Sequence, residues 1–144
     1  MCLDRLQRRE FITLLGAAAA AWPLAARAQV GERKRRIGIL WQYAADDPAT
    51  GPPLSAFRQT LAQLGWSENR NVDIDYGFAG GSSDRYLPLA QELIASRPDV
   101  IVATGTPITA TLQRETRAIP IVFTTVSDPI GAGFVASLSR PGAT

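Results

Sequence analysis

Three short runs combine hydroxyls, aromatic rings and chain-bending residues in a way that could hold a small molecule. They are Trp41-Gln42-Tyr43, Thr104-Gly105-Thr106-Pro107 and Thr124-Thr125-Val126-Ser127-Asp128-Pro129. In the second run, Gly105 lets a backbone approach closely. Thr106 suits a helix cap and Pro107 the first helical position. A helix start of this kind presents unpaired amides and favours an anion such as a carboxylate or phosphate. The same residues would equally serve to cap their own helix. Trp41 and Tyr43 could form an aromatic wall or pack under the loop that follows them. Ser127-Asp128-Pro129 could offer a carboxylate to a ligand amine, or could be a plain N-cap followed by proline.

Catalytic chemistry has less to build on. The chain has no His and a single Cys, Cys2. Imidazole acid–base sites, Cys/His metal clusters and internal disulfides are therefore excluded within it. Gly80-Gly81-Ser82-Ser83 lacks the lysine of a phosphate-binding P-loop and the spacing of a dinucleotide site, and reads as a turn. No paired carboxylates, nucleophile elbow or metal spacing stands out, so neither an enzyme nor a cofactor is expected.

The elements that must position these runs alternate in type. Strands are predicted at 36–40, 71–76, 99–103 and 119–123, and helices at 53–65, 86–96 and 108–116, with a further short element at 131–138. The first helix places Leu54, Phe57, Leu61 and Leu64 on one face, with Pro53 opening and Gly65 closing it. The second strand alternates Val72, Ile74 and Tyr76 with Asp73 and Asp75, as a strand with one wet face near a sheet edge would. Val- and Ile-rich runs such as Val100-Ile101-Val102 read as buried on both faces. Repeated strand–helix units imply an α/β three-layer sandwich, a parallel sheet with helices on both faces. With strand order 2-1-3-4, the first and third strands are neighbours at the reversal of order. That is where open α/β sheets bind ligands, beyond the carboxyl ends of the strands.

The N-terminus reads as an address. Arg8-Arg9 precede Phe11-Ile12 and an uncharged run to Ala26, and Ala26-Arg27-Ala28 gives an A-x-A site. This resembles a twin-arginine export signal over 1–28, cleaved after Ala28. The run is shorter than the roughly 20 residues of a spanning helix. Removing 1–28 takes away four of the fifteen basic and two of the thirteen acidic residues, leaving eleven of each. The formal charge of +2 thus belongs to the signal, and no nucleic-acid partner is expected. Residues 29–35 form a basic lead-in, and Arg33-Lys34-Arg35-Arg36 reads as a solvated cluster that keeps the sheet edge from pairing.

The segments "RRIGIL", "AFRQTLAQLGWSENRNVDIDY", "ATGTP" and "VSDPIGAGFVASLSRPG" resemble the ABC-transporter substrate-binding family labelled tryptophan/tyrosine transport proteins. The resemblance covers nearly all of 36–144. It implies the type I periplasmic-binding-protein fold, of which 36–144 would be the N-terminal α/β lobe with the second lobe absent. It also implies a periplasmic, non-enzymatic binding component of an importer, partnered by a permease and taking an amino-acid-like ligand between two lobes. On that reading Thr104, Gly105, Thr106 and Pro107 face the ligand, with Trp41, Gln42, Tyr43, Val126, Ser127 and Asp128 as neighbouring walls. The competing readings are a gene fragment without function of its own, a flavodoxin- or Rossmann-like enzyme domain, and a regulator's effector domain. The export signal and the lack of a helix-turn-helix segment count against the last.

Overall fold

The computed structural model describes residues 34–139. The export signal, most of the basic lead-in and the final "RPGAT" lie outside the described residues. In chain order the elements are β1 (Arg35–Trp41), α1 (Gly51–Gln63), β2 (Val72–Phe78), a short 3₁₀ turn (Ser83–Arg85), α2 (Tyr86–Ala95), β3 (Val100–Thr104), α3 (Thr106–Glu115) and β4 (Ile121–Thr124). The four strands form one parallel sheet in the order β2-β1-β3-β4. This is the predicted order, with β1 and β3 adjacent at the reversal.

The sheet has two unlike faces. Leu40, Ile101 and Ala103 point to one side, where α2 and α3 pack with Leu93, Ile108 and Leu112 in a buried core. Gly77 belongs to that face. A Cβ there would come within 3.0 Å of Leu40 Cδ1 and 3.6 Å of Leu93 Cδ1, so the small residue lets α2 sit close. Alternation turns Ile37, Ile39, Ile74, Tyr76 and Val102 to the opposite side, where α1 lies. There the cover is thin. Of the predicted stripe, Leu54 is buried, Phe57 and Leu61 are half-buried, and Leu64 is 71% exposed. Helical periodicity defined the stripe correctly, but its burial falls away from Leu54 toward Leu64, so the sheet covers the helix best near its N-terminal end.

Several boundaries shift for local reasons. The α1 helix begins at Gly51, with prolines in its first turn, where no N–H is needed. Pro88 is accommodated likewise in the first turn of α2. The β2 strand runs on past the predicted end at 76 through Gly77 and Phe78, because Trp41 pairs opposite Phe78. The expected element at 131–138 is a chain of turns instead. Its Phe134 and Val135 are buried, and the Phe134 and Phe123 rings lie 6.0 Å apart.

The basic cluster also differs from expectation. Arg35 and Arg36 belong to β1, an interior strand, so they guard no edge. Instead Lys34, Arg35 and Arg36 pair with Asp73, Asp99 and Asp75 at 3.4, 3.2 and 3.6 Å. The Arg36 amide also donates to Asp99 Oδ2 at 2.9 Å, and the Ser96 hydroxyl to Asp75 Oδ2 at 2.9 Å. The wet face of β2 is thus a row of half-buried carboxylates, neutralised by the start of β1.

Candidate functional site

Parallel strands put all their carboxyl ends on one side, and here they bring the three sequence-predicted runs together. The Gln42 amide donates to Thr104 Oγ1 at 3.0 Å, across 62 residues of sequence. That hydroxyl in turn donates to the Leu40 carbonyl at 3.3 Å. The Gly105 amide donates to the Thr124 carbonyl at 2.9 Å, tying the turn after β3 to the end of β4. The turn after β2, which sequence reasoning did not place in the site, joins as well. The Ala79 amide donates to Trp41 O at 2.9 Å and the Gly81 amide to Gln42 O at 2.8 Å. Gly80-Gly81, both at positive φ, were the available signal for a turn that brings backbone close.

Gly105, not Thr106, is the N-cap of α3, and the helix begins at Thr106. Gly105 has φ 87° and ψ 154°, a region nearly confined to glycine. The space where a Cβ would stand is taken by Gln42 Oε1, at 2.6 Å. So the side-chain amide of Gln42 lies directly over the start of α3. Neither threonine caps the helix. Thr104 is buried and stitches β1 to β3, whereas the half-buried Thr106 hydroxyl makes no hydrogen bond among the described residues. The Gly105 carbonyl is used within the helix, accepting from both the amide and the hydroxyl of Thr109 at 3.1 and 2.9 Å. Pro107 is exposed beside it.

The flanking runs are less alike than the sequence suggests. Trp41 is half-buried, and its indole Nε1 is shut off from solvent with no acceptor among the described residues. Tyr43 is 43% exposed, so of the two aromatics it is the one more open to solvent. Asp128 Oδ1 accepts from the Gly131 amide at 2.8 Å, and its side chain fills the space beside Gly131. The carboxylate therefore closes its own turn while remaining exposed. Ser127 is exposed and Val126 half-buried. Thr125 has φ 55°, uncommon for a β-branched residue, which turns the chain sharply as it leaves β4.

What this arrangement can do is hold a small ligand by backbone and neutral polar groups. Among the described residues no group of three or more His, Cys, Asp or Glu could hold a metal ion. No described helix is long and apolar enough to cross a membrane.

The described residues form an open parallel α/β sheet with its polar turns gathered at the carboxyl ends of the strands. Residues 45–144 match the family of ABC transporter substrate binding proteins, and the chain belongs to that family. A tyrosine-binding protein of Clostridioides difficile is 29% identical over 111 residues, 77% of this chain and 32% of that protein. The crystal structure of an ABC domain in complex with L-Trp from Streptococcus pneumonia superposes with a TM-score of 0.68 at 26% identity, over 76% of this chain and 36% of that one. The ligand-free, open structure of a substrate-binding protein with adhesive properties from Clostridium difficile gives 0.68 at 31% identity, over 75% and 36%. The chain thus spans about a third of the length of these relatives. The fold is that of a partial periplasmic-binding-protein domain, and the relatives are binding proteins rather than enzymes.

Proposed function

We propose that the full-length protein is the periplasmic, solute-receiving component of an ABC importer. The strand-end turns described above form its share of an amino-acid site. The observation that carries this reading is the meeting of Gln42, Thr104 and the Gly105-Thr106 helix start. A ligand carboxylate at this point would be favoured by the free amides and dipole of α3. The Thr106 hydroxyl, which makes no hydrogen bond among the described residues, would be a further donor, and the Gln42 amide can turn to donate through its nitrogen. Tyr43 would flank the side chain of an aromatic ligand, and Val126, Ser127 and Asp128 would border the other side. Support comes from relatives described as tyrosine-binding and as a complex with L-Trp. A second lobe would supply the facing wall, and a permease would receive the ligand. Residues 1–28 would deliver the protein to the periplasm and be removed after Ala28.

Calorimetry on the full-length protein with L-Trp, L-Tyr and branched-chain amino acids tests the reading. Binding of at least one of them, weakened tenfold or more by Gln42→Ala at unchanged melting temperature, is expected. Tight binding unaffected by substitution at both Gln42 and Thr106 would move the site elsewhere.

A further inference from the structure

The α1 helix is fastened to the sheet in a different way from α2 and α3. The α3 helix buries Ile108, Thr109, Thr111 and Leu112, and α2 buries Tyr86, Ala90 and Leu93. The α1 helix buries only Leu54. Beneath its second half lies a cavity of about 210 Å³ lined by Leu61, Ala62, Trp66 and Ile74, so apolar contact there is incomplete. A polar cluster at the rim of that cavity makes the connection instead. Arg58 Nε donates to the Tyr76 hydroxyl at 2.9 Å, and its guanidinium lies over the Tyr76 ring, 4.9 Å from the centroid. The Tyr76 hydroxyl donates to Glu68 Oε2 at 3.3 Å, and Glu68 pairs with Arg58 at 3.4 Å. Each member comes from a different segment: Arg58 from α1, Glu68 from the loop after it, and Tyr76 from β2. Among the described residues, Arg58 is the α1 side chain that hydrogen-bonds to the sheet.

An element held by few apolar contacts and a solvent-accessible polar cluster belongs to the low-stability end of a fold. We propose that α1 is a latched cover that opens from the sheet as a unit, with Arg58, Tyr76 and Glu68 as its catch, while β1, β2 and β3 stay paired. The core on the α2–α3 face does not depend on α1, so such opening leaves it intact. Only residues 43–50 separate α1 from Gln42. Release of the catch therefore frees the segment that carries Tyr43, next to the strand-end turns. The inference stands on the packing of α1 alone, whatever ligand the strand ends receive.

Amide hydrogen exchange on the full-length protein tests it. In the wild type, amides of α1 are expected to exchange at least about tenfold faster than those of β3. Tyr76→Phe keeps the ring and removes the hydroxyl. It should speed α1 exchange about tenfold further, a loss in the range of a charge-assisted hydrogen bond, with β1 and β3 unchanged. Glu68→Gln, which keeps an acceptor but no charge, should act in the same direction and more weakly. A common exchange rate for α1 and β3, shifting together in the variants, would overturn the proposal by making α1 part of one cooperative unit. Unchanged α1 exchange in both variants would overturn it by showing that the cluster is no catch.

Discussion

Gly105 carries two constraints at once. Its backbone lies in a region other residues reach only with strain, and Gln42 Oε1 occupies the position of a side chain. Gly105→Ala is therefore expected to cost about 1–3 kcal/mol of stability, measured by denaturant titration without ligand. A bulkier Val would act on the fold before it acted on any ligand. Thr106 separates the two roles, because its hydroxyl is unused within the described residues. Thr106→Val, which nearly keeps the side-chain volume and removes a hydroxyl without a partner among the described residues, should leave the unliganded stability within about 0.5 kcal/mol and lower affinity only. Tyr76 gives a pH signature. Burial raises its phenol above the usual value of 10.0, opposed by the hydrogen bond from Arg58. A folded pKa above the unfolded one means that the contribution is complete below about pH 10 and is lost as pH rises through the folded value. Stability measured from neutral to strongly alkaline pH should fall less steeply in Tyr76→Phe than in the wild type.

At the scale of the element, the same hydrophobic stripe has unequal value along the chain. Leu112 is fully buried between α3 and the sheet, and Leu112→Ala is expected to cost about 2–5 kcal/mol. Leu61 is half-buried beside the open cavity under α1, so Leu61→Ala should cost nearer about 1 kcal/mol, the centre of the range for single substitutions. A pair of chemical denaturation curves decides this, and equal losses would show α1 to be as tightly packed as α3. The helical period reported which residues share a face of α1. How much sheet lies beneath that face depends on where α1 crosses, and nothing local to residues 51–63 encodes that. The basic run at 34–36 teaches the same lesson with charge. Its carboxylate partners lie in β2 and just before β3, at Asp73, Asp75 and Asp99. Without them the run reads as a solvated lead-in.

For the whole molecule, the proposed export and ligand capture are properties to be tested on the full-length protein. If Arg8-Arg9 direct the folded-protein route, replacing both with Lys should abolish periplasmic delivery in a fractionation experiment, and the mature N-terminus should be Gln29. Unchanged delivery would assign the segment to another route. The described residues form an α/β lobe whose β4 leaves Val122 52% exposed, and this chain spans about a third of its relatives' length.

The sequence by itself determined the alternation of strands and helices, and with it a parallel sheet and the strand-end location of the three polar runs. These follow from local periodicity and from the handedness and connection rules of α/β folds, which need no knowledge of distant partners. Tertiary structure alone decided what each polar group does. Among the described residues, Thr104 turned out to stitch strands, the Thr106 hydroxyl to make no hydrogen bond and Asp128 to close its own turn. The turn at Gly81 joined the site through Gln42, and Tyr76 became the partner of Arg58. A hydroxyl, a carboxylate or a glycine can satisfy several geometries equally well locally. Which one it adopts is set by the groups that the fold brings within hydrogen-bond reach, here from as far as 64 residues away.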